Sequence, residues 1–199
     1  HGATEGSETK RYKGSIDVPM SEKGIEQMKG TSSFIQNMMQ DKKNHESCIV
    51  HRASSKLSAI YCSPLSRALK SAEIIAEPHG LKPIVIEGLR ERSFGIWEGM
   101  TFTEIKEKYP QEFEAWAGNP LIYSPMGGES TLVVRDRVIR VLDEILNGAA
   151  EQRSSRAEND NNVTALLRYC ATAPNPNIAV VAHGGVNRII LCHIMGIPL

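Results

Sequence analysis

A chain of 199 residues with 41% hydrophobic content is the size of one ordinary domain, and such a chain buries about two-thirds of its unfolded surface on folding. Its 23 basic and 23 acidic residues balance, so the total charge predicts neither a nucleic acid nor an anionic membrane surface as partner. No apolar run approaches the roughly 20 residues that cross a bilayer. Any attraction for an anion must therefore come from a local cluster of charges.

The cysteine pattern bears on the compartment. The four cysteines lie far apart and without a CxxC spacing, at Cys48, Cys62, Cys170 and Cys192. A chain of this size does not need a disulfide framework, so we expect reduced thiols in a cytoplasmic protein of undetermined oligomeric state. The sequence opens on His1 rather than on a methionine. We expect a single domain, 1–199, that lacks its first strand and its C-terminal end.

The first third of the chain predicts a helix, a strand and a second helix. Apolar residues recur at three- to four-residue spacing over 21–40, which indicates an amphipathic helix with Ser21 as its N-cap. The short apolar run 57–62 is typical of a buried strand. Ser63 and Pro64 then fit the N-cap and first position of the next helix.

The middle of the chain predicts shorter elements. Residues 83–86 form a second short apolar run, which indicates a strand. Thr101 and Glu104 fit a capping box that begins a helix, and Pro110 should stop it. A longer amphipathic helix is predicted over 130–146.

The last quarter of the chain combines a polar stretch with a final strand and helix. Residues 147–177 have too little apolar surface to offset the entropy of ordering, so we expect a flexible insert, with one helical turn at 163–169. A buried strand follows at 178–182 and an apolar helix at 186–195. Strands alternating with helices predict an α/β fold of three layers, with a mainly parallel central sheet and helices on both faces. Ligands of such sheets bind beyond the carboxyl ends of the strands.

Basic and imidazole side chains follow two of these strands. His183 comes directly after the last strand and precedes Gly184, where a helix begins that can face an anion with its backbone N–H groups. Arg67 lies in the first turn of the helix after the 57–62 strand, where a guanidinium can fork onto phosphate oxygens. His1 is followed by glycine and polar residues, as after a strand end.

Five short strings stand in a fixed order along the chain: HG at 1–2, SPLSRA at 63–68, LRERSFGIWEG at 89–99, GGES at 127–130 and AHG at 182–184. Together they resemble the histidine phosphatase superfamily, the phosphoglycerate mutase-like proteins, through nearly the whole chain. The family's opening arginine would stand upstream of the first string. Each string alone is modestly specific, whereas five in the family's order are highly specific.

The resemblance implies a phosphatase that works through a phosphohistidine. His1 would attack phosphorus as a neutral imidazole, and His183 and Arg67 would spread positive charge over the phosphoryl oxygens. Glu91 would protonate the leaving alkoxide and then take a proton from water. Glu98 is the competing carboxylate for that role.

Further site residues follow from the same resemblance. Ser7 stands where the family often has asparagine, six positions after the nucleophile, and it is expected at the phosphate together with Gly184. Tyr12, Lys13 and Trp97 are expected to contact the leaving group. The histidines lack metal-ligand spacing, so no metal and no cofactor is implied. The only expected partner is a small phosphate ester.

The segments around 94–99 and 125–130 look most similar to the alpha-ribazole phosphatases of cobalamin biosynthesis. This implies alpha-ribazole 5′-phosphate as the substrate. A phosphoglycerate mutase, a broad-specificity sugar phosphatase and a non-catalytic scaffold remain alternatives, although a scaffold would be expected to have lost at least one of the four principal site residues.

Overall fold

The computed structural model describes residues 1–44, 56–151 and 177–199. Within them lies a sheet of three parallel strands, β1 (Ala59–Cys62), β2 (Ile84–Val85) and β3 (Ile178–Val181). The strand order is β2-β1-β3, so the first strand in sequence lies at the centre. This confirms the predicted parallel sheet. The helical turn predicted at 163–169 and most of the predicted insert lie outside the described residues.

The described residues form six α-helices. They are α1 (Glu22–Asn44), α2 (Ser66–Ala76), α3 (Phe102–Lys108), α4 (Pro110–Gly118), α5 (Thr131–Glu151) and α6 (Gly184–Met195). Single 3-10 turns occur at Ser7–Thr9, Glu77–His79, Glu87–Leu89 and Gly95–Trp97. In the part of the chain that the structure describes, no helix has the length and apolar character needed to span a membrane.

Two hydrophobic clusters lie on opposite faces of the sheet, and β1 contributes to both. Its residues Ala59 and Tyr61 pack with α5 and α6, whereas Ile60 and Cys62 pack with α1 and α2. This alternation is the two-residue period of a strand that is covered on both faces. All four β1 side chains are buried, which confirms the predicted three-layer α/β architecture.

Several helix ends follow the predicted signals. The Gly24 N–H donates to Ser21 Oγ over 3.2 Å, so Ser21 caps α1 as expected. Thr101 and Glu104 form the reciprocal capping box at the start of α3. Gly196, with a φ of 66°, ends α6 in the left-handed conformation that glycine adopts without strain.

Other helix ends differ from the sequence-based expectation. The second helix begins at Ser66 rather than directly after Ser63, and it has no side-chain cap. Pro110 ends one helix but also begins α4, because a proline at the first helical position loses no hydrogen bond. Helix α5 continues to Glu151, so the first residues of the predicted insert are helical.

The apolar face of α1 is narrower than its sequence pattern indicates. Met28 and Met39 are buried against α2 and the sheet, as the spacing predicts. Phe34 is 63% exposed and Met38 is 46% exposed, although both belong to the same apolar pattern. The spacing of apolar residues therefore gives the helix correctly but not the width of its buried stripe.

Two glycines of α1 provide a matched test of how closely this helix packs on the opening segment. A Cβ at Gly24 would collide with the Ala3 carbonyl oxygen, whereas a Cβ at Gly30 would meet nothing within 4 Å. We expect Gly24→Ala to lower the free energy of unfolding by about 1–3 kcal/mol, as overpacking does. Gly30→Ala should raise it by about 0.5–1 kcal/mol, the usual gain from replacing a helical glycine. Urea denaturation measures both, and equal effects would contradict the close approach.

Candidate active site

The opening segment of the chain lies against the carboxyl end of the sheet. The main-chain nitrogen of His1 is 3.4 Å from the carbonyl oxygen of Ala182, just beyond β3. The backbone N–H of Gly2 is 3.4 Å from Ser71 Oγ on α2. These contacts place the His1 imidazole beside the helix that carries Arg67.

A cavity of about 320 Å³ opens at this end of the sheet. Six predicted site residues line it: His1, Ser7, Tyr12, Lys13, Arg67 and Glu91. Four more residues line it that sequence reasoning did not assign to the site: Thr4, Arg11, Gly14 and Phe94. Phe94 stands within the LRERSFGIWEG string, whereas Thr4, Arg11 and Gly14 belong to none of the five strings, so no motif marked them. The size is that of a small-molecule site.

The His1 ring, which lines the cavity, has one nitrogen held in a hydrogen bond. Its Nδ1 lies 2.7 Å from the Gly2 carbonyl oxygen. A carbonyl oxygen can only accept a hydrogen bond, so Nδ1 carries the proton of the neutral ring. Nε2 is then unprotonated and available as a nucleophile.

His183 lies behind His1 and is 1% exposed. The two ring centroids are 5.1 Å apart and meet edge to face. His183 Nε2 lies 2.7 Å from Ser63 Oγ, while Nδ1 is buried and has no hydrogen-bond partner among the described residues. Burial, and after it the positive charge of Arg67, lowers the pKa of His183 to about 3. The ring is therefore neutral at pH 7.

Arg67 is a buried cation, 2% exposed. Its two terminal nitrogens donate to the carbonyl oxygens of Ile16 and Gly14 over 2.7 and 2.8 Å. Burial lowers its pKa, and the nearby carboxylates of Glu91 and Asp17 act in the opposite direction. Among the described residues, no carboxylate forms an ion pair with it. The guanidinium thus fastens the 14–16 loop and keeps further N–H donors for an anion in the cavity.

Glu91 is the carboxylate that reaches the cavity. Its Oε1 accepts from the backbone N–H of Arg92 over 2.9 Å, and its Oε2 accepts from the backbone N–H of Gly185 over 3.4 Å. The second contact ties the loop after β2 to the first turn of α6. The two contacts therefore fix the carboxyl group at the wall of the cavity.

Glu98, the competing carboxylate, is used differently. It accepts from the backbone N–H and the hydroxyl of Ser15 over 2.9 and 2.8 Å. It also accepts from the backbone N–H of Phe94 over 2.9 Å. These contacts cross-link the two loops that wall the cavity, so the lone pairs of Glu98 serve the structure and not a substrate.

Two arginines, Arg92 and Arg137, connect the loop that carries Glu91 to Glu129. Arg137 donates from Nη2 to the Glu91 carbonyl oxygen over 3.2 Å and binds Glu129 with two nitrogens over 2.9 and 3.0 Å. Arg92 donates from Nε to the Glu129 carbonyl oxygen over 2.6 Å. Arg137 therefore supports the loop that carries Glu91, a role that no motif in the sequence indicates.

Lys13, Tyr12 and Arg11 form the outer wall of the cavity. The Lys13 ammonium donates to Thr4 Oγ1 and, over 2.5 Å, to the Glu5 carbonyl oxygen. Burial and then the charge of Arg67 lower the pKa of Lys13. Arg11 is paired with Glu104 over 2.7 Å, so Lys13 is the outer cation without a carboxylate ion pair among the described residues.

Three predicted site residues do not line the cavity: His183, which lies behind His1, Trp97 and Gly184. Trp97 was expected to stack on the leaving group, but it is 2% exposed and packs between Trp116 and Tyr123. Burial of this large apolar ring in the core stabilises the fold more than its exposure to water at the cavity would. Phe94 lines the cavity in its place. Gly184 begins α6 but does not line the cavity.

No group of three or more histidine, cysteine, aspartate or glutamate side chains within residues 1–44, 56–151 and 177–199 is placed to hold a metal ion. Cys62 and Cys192 are free thiols.

The family model for the histidine phosphatase superfamily (branch 1) matches residues 1–199. The chain belongs to the histidine phosphatase superfamily. It is 32% identical to phosphoserine phosphatase 1 of Hydrogenobacter thermophilus over 199 residues, which is all of this chain and 75% of that protein. Together the family and this relative show that the chain is a phosphoric monoester hydrolase.

Solved structures of phosphatases share the fold. A mycobacterial glucosyl-3-phosphoglycerate phosphatase, solved with VO3, has a TM-score of 0.71 and 25% identity, over 100% of this chain and 78% of that chain. An alpha-ribazole phosphatase from Shigella flexneri has a TM-score of 0.70 and 21% identity, over 100% and 78% of the two chains. At 21% identity the second likeness supports the fold alone.

The lowered pKa of His183 predicts a pH-dependent stability. The folded-state pKa lies below the unfolded value of about 6.5, so the unfolded chain binds the proton first. The stability is complete above pH 6.5 and falls as the pH drops from there toward 3, by at most about 1.4 kcal/mol per pH unit. Urea denaturation at pH 7 and pH 5 should show a smaller loss in His183→Gln than in the wild type. His193→Gln, which removes an exposed histidine of α6, is the control, and equal losses in all three proteins would contradict the assignment.

Proposed function

We propose that this phosphatase hydrolyses small phosphomonoesters through a phosphohistidine on His1. The observation that carries the proposal is the contact of 2.7 Å between His1 Nδ1 and the Gly2 carbonyl oxygen. This contact keeps the proton of the neutral ring on Nδ1, so Nε2 has a free lone pair. Arg67 lines the same cavity as a buried cation. A nucleophile and a charge clamp at one cavity are the two parts that phosphoryl transfer requires.

The first half-reaction moves the phosphoryl group to the enzyme. His1 Nε2 forms a bond to phosphorus while the bond to the ester oxygen breaks. Glu91, in its carboxylic acid form, gives its proton to the departing oxygen, which leaves as an alcohol. The N–H groups of Arg67 and His183 bind the phosphoryl oxygens as the charge on them grows.

The second half-reaction regenerates the enzyme. The Glu91 carboxylate takes a proton from a water molecule, whose oxygen attacks the phosphorus of phosphohistidine. The N–P bond breaks, and inorganic phosphate leaves with His1 Nε2 unprotonated again. The cavity is walled on its outer side by half-exposed residues such as Tyr12 and Lys13, so water has access. Access of water favours hydrolysis over the phosphoglycerate mutase alternative, because a mutase must keep its phosphoenzyme dry.

For the leaving group, we propose alpha-ribazole 5′-phosphate as the first candidate. An aromatic base can stack on the edge-to-face pair of Tyr12 and Phe94, whose ring centroids are 4.8 Å apart at the cavity wall. This pair takes the role that the sequence assigned to Trp97.

Lys13 favours a second candidate, an ester that carries a carboxylate beside its phosphate. Lys13 is a half-buried cation at the rim, close enough to Arg67 for that charge to lower its pKa. A second anionic group on the substrate would relieve this repulsion. Two of the relatives with 25% identity or more are named for phosphoserine and glucosyl-3-phosphoglycerate, and both of these compounds contain a carboxylate.

The nucleophile is tested by His1→Ala. We expect this variant to release no phosphate from p-nitrophenyl phosphate and to form no acid-labile phosphoenzyme, because it lacks the proposed nucleophilic nitrogen. Arg67→Ala should lower kcat by about 10²–10³, the usual loss when one donor to a transition-state oxyanion is removed. His193→Ala, at the far end of α6, is the matched control. Full activity in His1→Ala would end the proposal.

The proton donor is tested by the dependence on the leaving group. Glu91→Gln should slow alkyl phosphates far more than p-nitrophenyl phosphate, because nitrophenolate leaves without needing a proton. Steady-state kcat/KM on both esters measures the effect. Glu98→Gln should reduce stability and affect both esters to the same degree, since Glu98 cross-links the loops. The opposite pattern would move the proton donor to Glu98.

The two substrate candidates are separated by matched esters. If Lys13 binds a carboxylate, kcat/KM for O-phosphoserine should exceed that for O-phosphoethanolamine, which lacks only the carboxylate, by about tenfold or more. Lys13→Met should abolish that preference and leave the slower ester nearly unchanged. Equal loss on both would place Lys13 on the phosphoryl group itself. A higher kcat/KM for alpha-ribazole 5′-phosphate than for either ester would favour the first candidate.

A further inference from the structure

The hydrogen bonds around His183 define which of its nitrogens holds the proton. The ring is enclosed, with 1% of the residue exposed, so protein groups and not bulk water decide its tautomer. Nε2 is engaged by Ser63 Oγ over 2.7 Å. Nδ1 is buried without a partner in the described part of the chain, although the ring stands edge to face against His1.

The contacts of Ser63 indicate which atom accepts its hydroxyl proton. The residue is fully buried, and its backbone N–H donates to the Val181 carbonyl oxygen over 3.1 Å, which fixes it beside β3. Its Oγ already accepts from the backbone N–H of Leu65 over 3.3 Å. If Nε2 donated to this oxygen, the hydroxyl proton would lack an acceptor among the residues that the structure describes. If the hydroxyl donates to Nε2, both Ser63 contacts are satisfied.

We infer that Ser63 is a positioning residue that holds His183 in the Nδ1–H tautomer, so that His183 meets a phosphoryl oxygen as a neutral hydrogen-bond donor. The unpartnered Nδ1 is then an N–H donor without an acceptor among the described residues. A phosphoryl oxygen of a phosphate ester would be that acceptor. This also explains why SPLSRA begins with serine although its hydroxyl does not cap α2.

The two histidines then share one tautomer but offer the substrate different groups, a lone pair from His1 and an N–H donor from His183. In His1 the proton sits on Nδ1 against the Gly2 carbonyl, and the lone pair of Nε2 faces the substrate. In His183 the lone pair of Nε2 faces Ser63, and the proton of Nδ1 remains for the substrate. One ring attacks and the other donates, and neither needs to be charged.

The tautomer can be observed without any substrate. Long-range proton–nitrogen correlation spectra of the full-length protein, labelled with ¹⁵N in its imidazole rings, separate protonated from unprotonated ring nitrogens. The signals of His183 are those that vanish in His183→Gln. We expect a protonated Nδ1 and an unprotonated Nε2 at pH 7, and a protonated Nε2 would overturn the inference even in a fully active phosphatase.

Variants of Ser63 test its part in setting that tautomer. Ser63→Ala should shift the His183 signals away from the Nδ1–H pattern and lower kcat for p-nitrophenyl phosphate about tenfold to a hundredfold, the usual effect of one buried donor. Ser63→Thr keeps the hydroxyl and should retain the wild-type pattern. Ser32→Ala removes another buried hydroxyl, which donates to the Ile74 carbonyl oxygen away from the cavity, and should change neither signal nor kcat.

The inference rests on the proposed use of this site, but the two fail in different ways. An inactive wild-type protein with the Nδ1–H tautomer would contradict the proposed function alone. An active Ser63→Ala variant with an unchanged His183 spectrum would contradict the role of Ser63 alone. If Ser63→Ala does not fold, the wild-type and Ser63→Thr spectra still decide the tautomer.

Discussion

The site depends on a positive charge that is kept out of water. Arg67 is 2% exposed and is held by two backbone carbonyl oxygens, with no ion pair to a carboxylate among the described residues. Carbonyl dipoles compensate a cation only in part, so the site retains an electrostatic preference for an anion. Burial of the Arg67 charge costs folding free energy. The same burial strengthens the attraction of Arg67 for an anion, because an interaction in a low-dielectric cavity is stronger than the same contact in water.

The same charge keeps the neighbouring histidine neutral. Burial is the larger cause of the lowered pKa of His183, and Arg67 adds to it. Two adjacent cations in a closed site would repel each other, whereas a neutral imidazole can still donate one hydrogen bond. Charge and hydrogen-bond donation are thereby divided between different residues. In the proposed reaction, a phosphate ester gains both interactions without the protein having to bury a second cation.

Much of this arrangement could be predicted from the sequence, because it is local. The parallel sheet, the capping box at Thr101 and the position of Arg67 and His183 at strand ends all follow from short patterns. What could not be predicted depends on contacts between distant segments. Nothing in the spacing of Trp97 separates a core ring from a stacking surface, and only its packing against Trp116 and Tyr123 does so.

The serine at position 63 shows the same limit in a sharper form. Ser followed by Pro is a sound N-cap signal, and the helix does begin close by, at Ser66. The hydroxyl is nevertheless taken by His183, 120 residues further along the chain. Local propensity identified the turn, whereas the partner of the side chain was decided by how β1 and β3 pair.

The position of Glu91 depends on close backbone packing elsewhere. Gly95 has a φ of 52°, and a Cβ there would collide with the Met126 carbonyl oxygen. A Cβ on Gly128 would lie 2.8 Å from the Ser93 carbonyl oxygen. Because both positions lack a side chain, the two loops touch through their backbones, and Glu129 accepts from the Ser93 N–H over 3.0 Å.

That contact explains why GGES and LRERSFGIWEG belong together. Glu129 also binds Arg137, whose Nη2 holds the Glu91 carbonyl oxygen. A chain of backbone and side-chain contacts thus runs from the two loops to the candidate proton donor. Enlarging either glycine would move Glu91 without touching the cavity, and a displacement of about 1 Å is enough to impair catalysis about a hundredfold. Gly95 and Gly128, neither of which lines the cavity, therefore act through the position of Glu91.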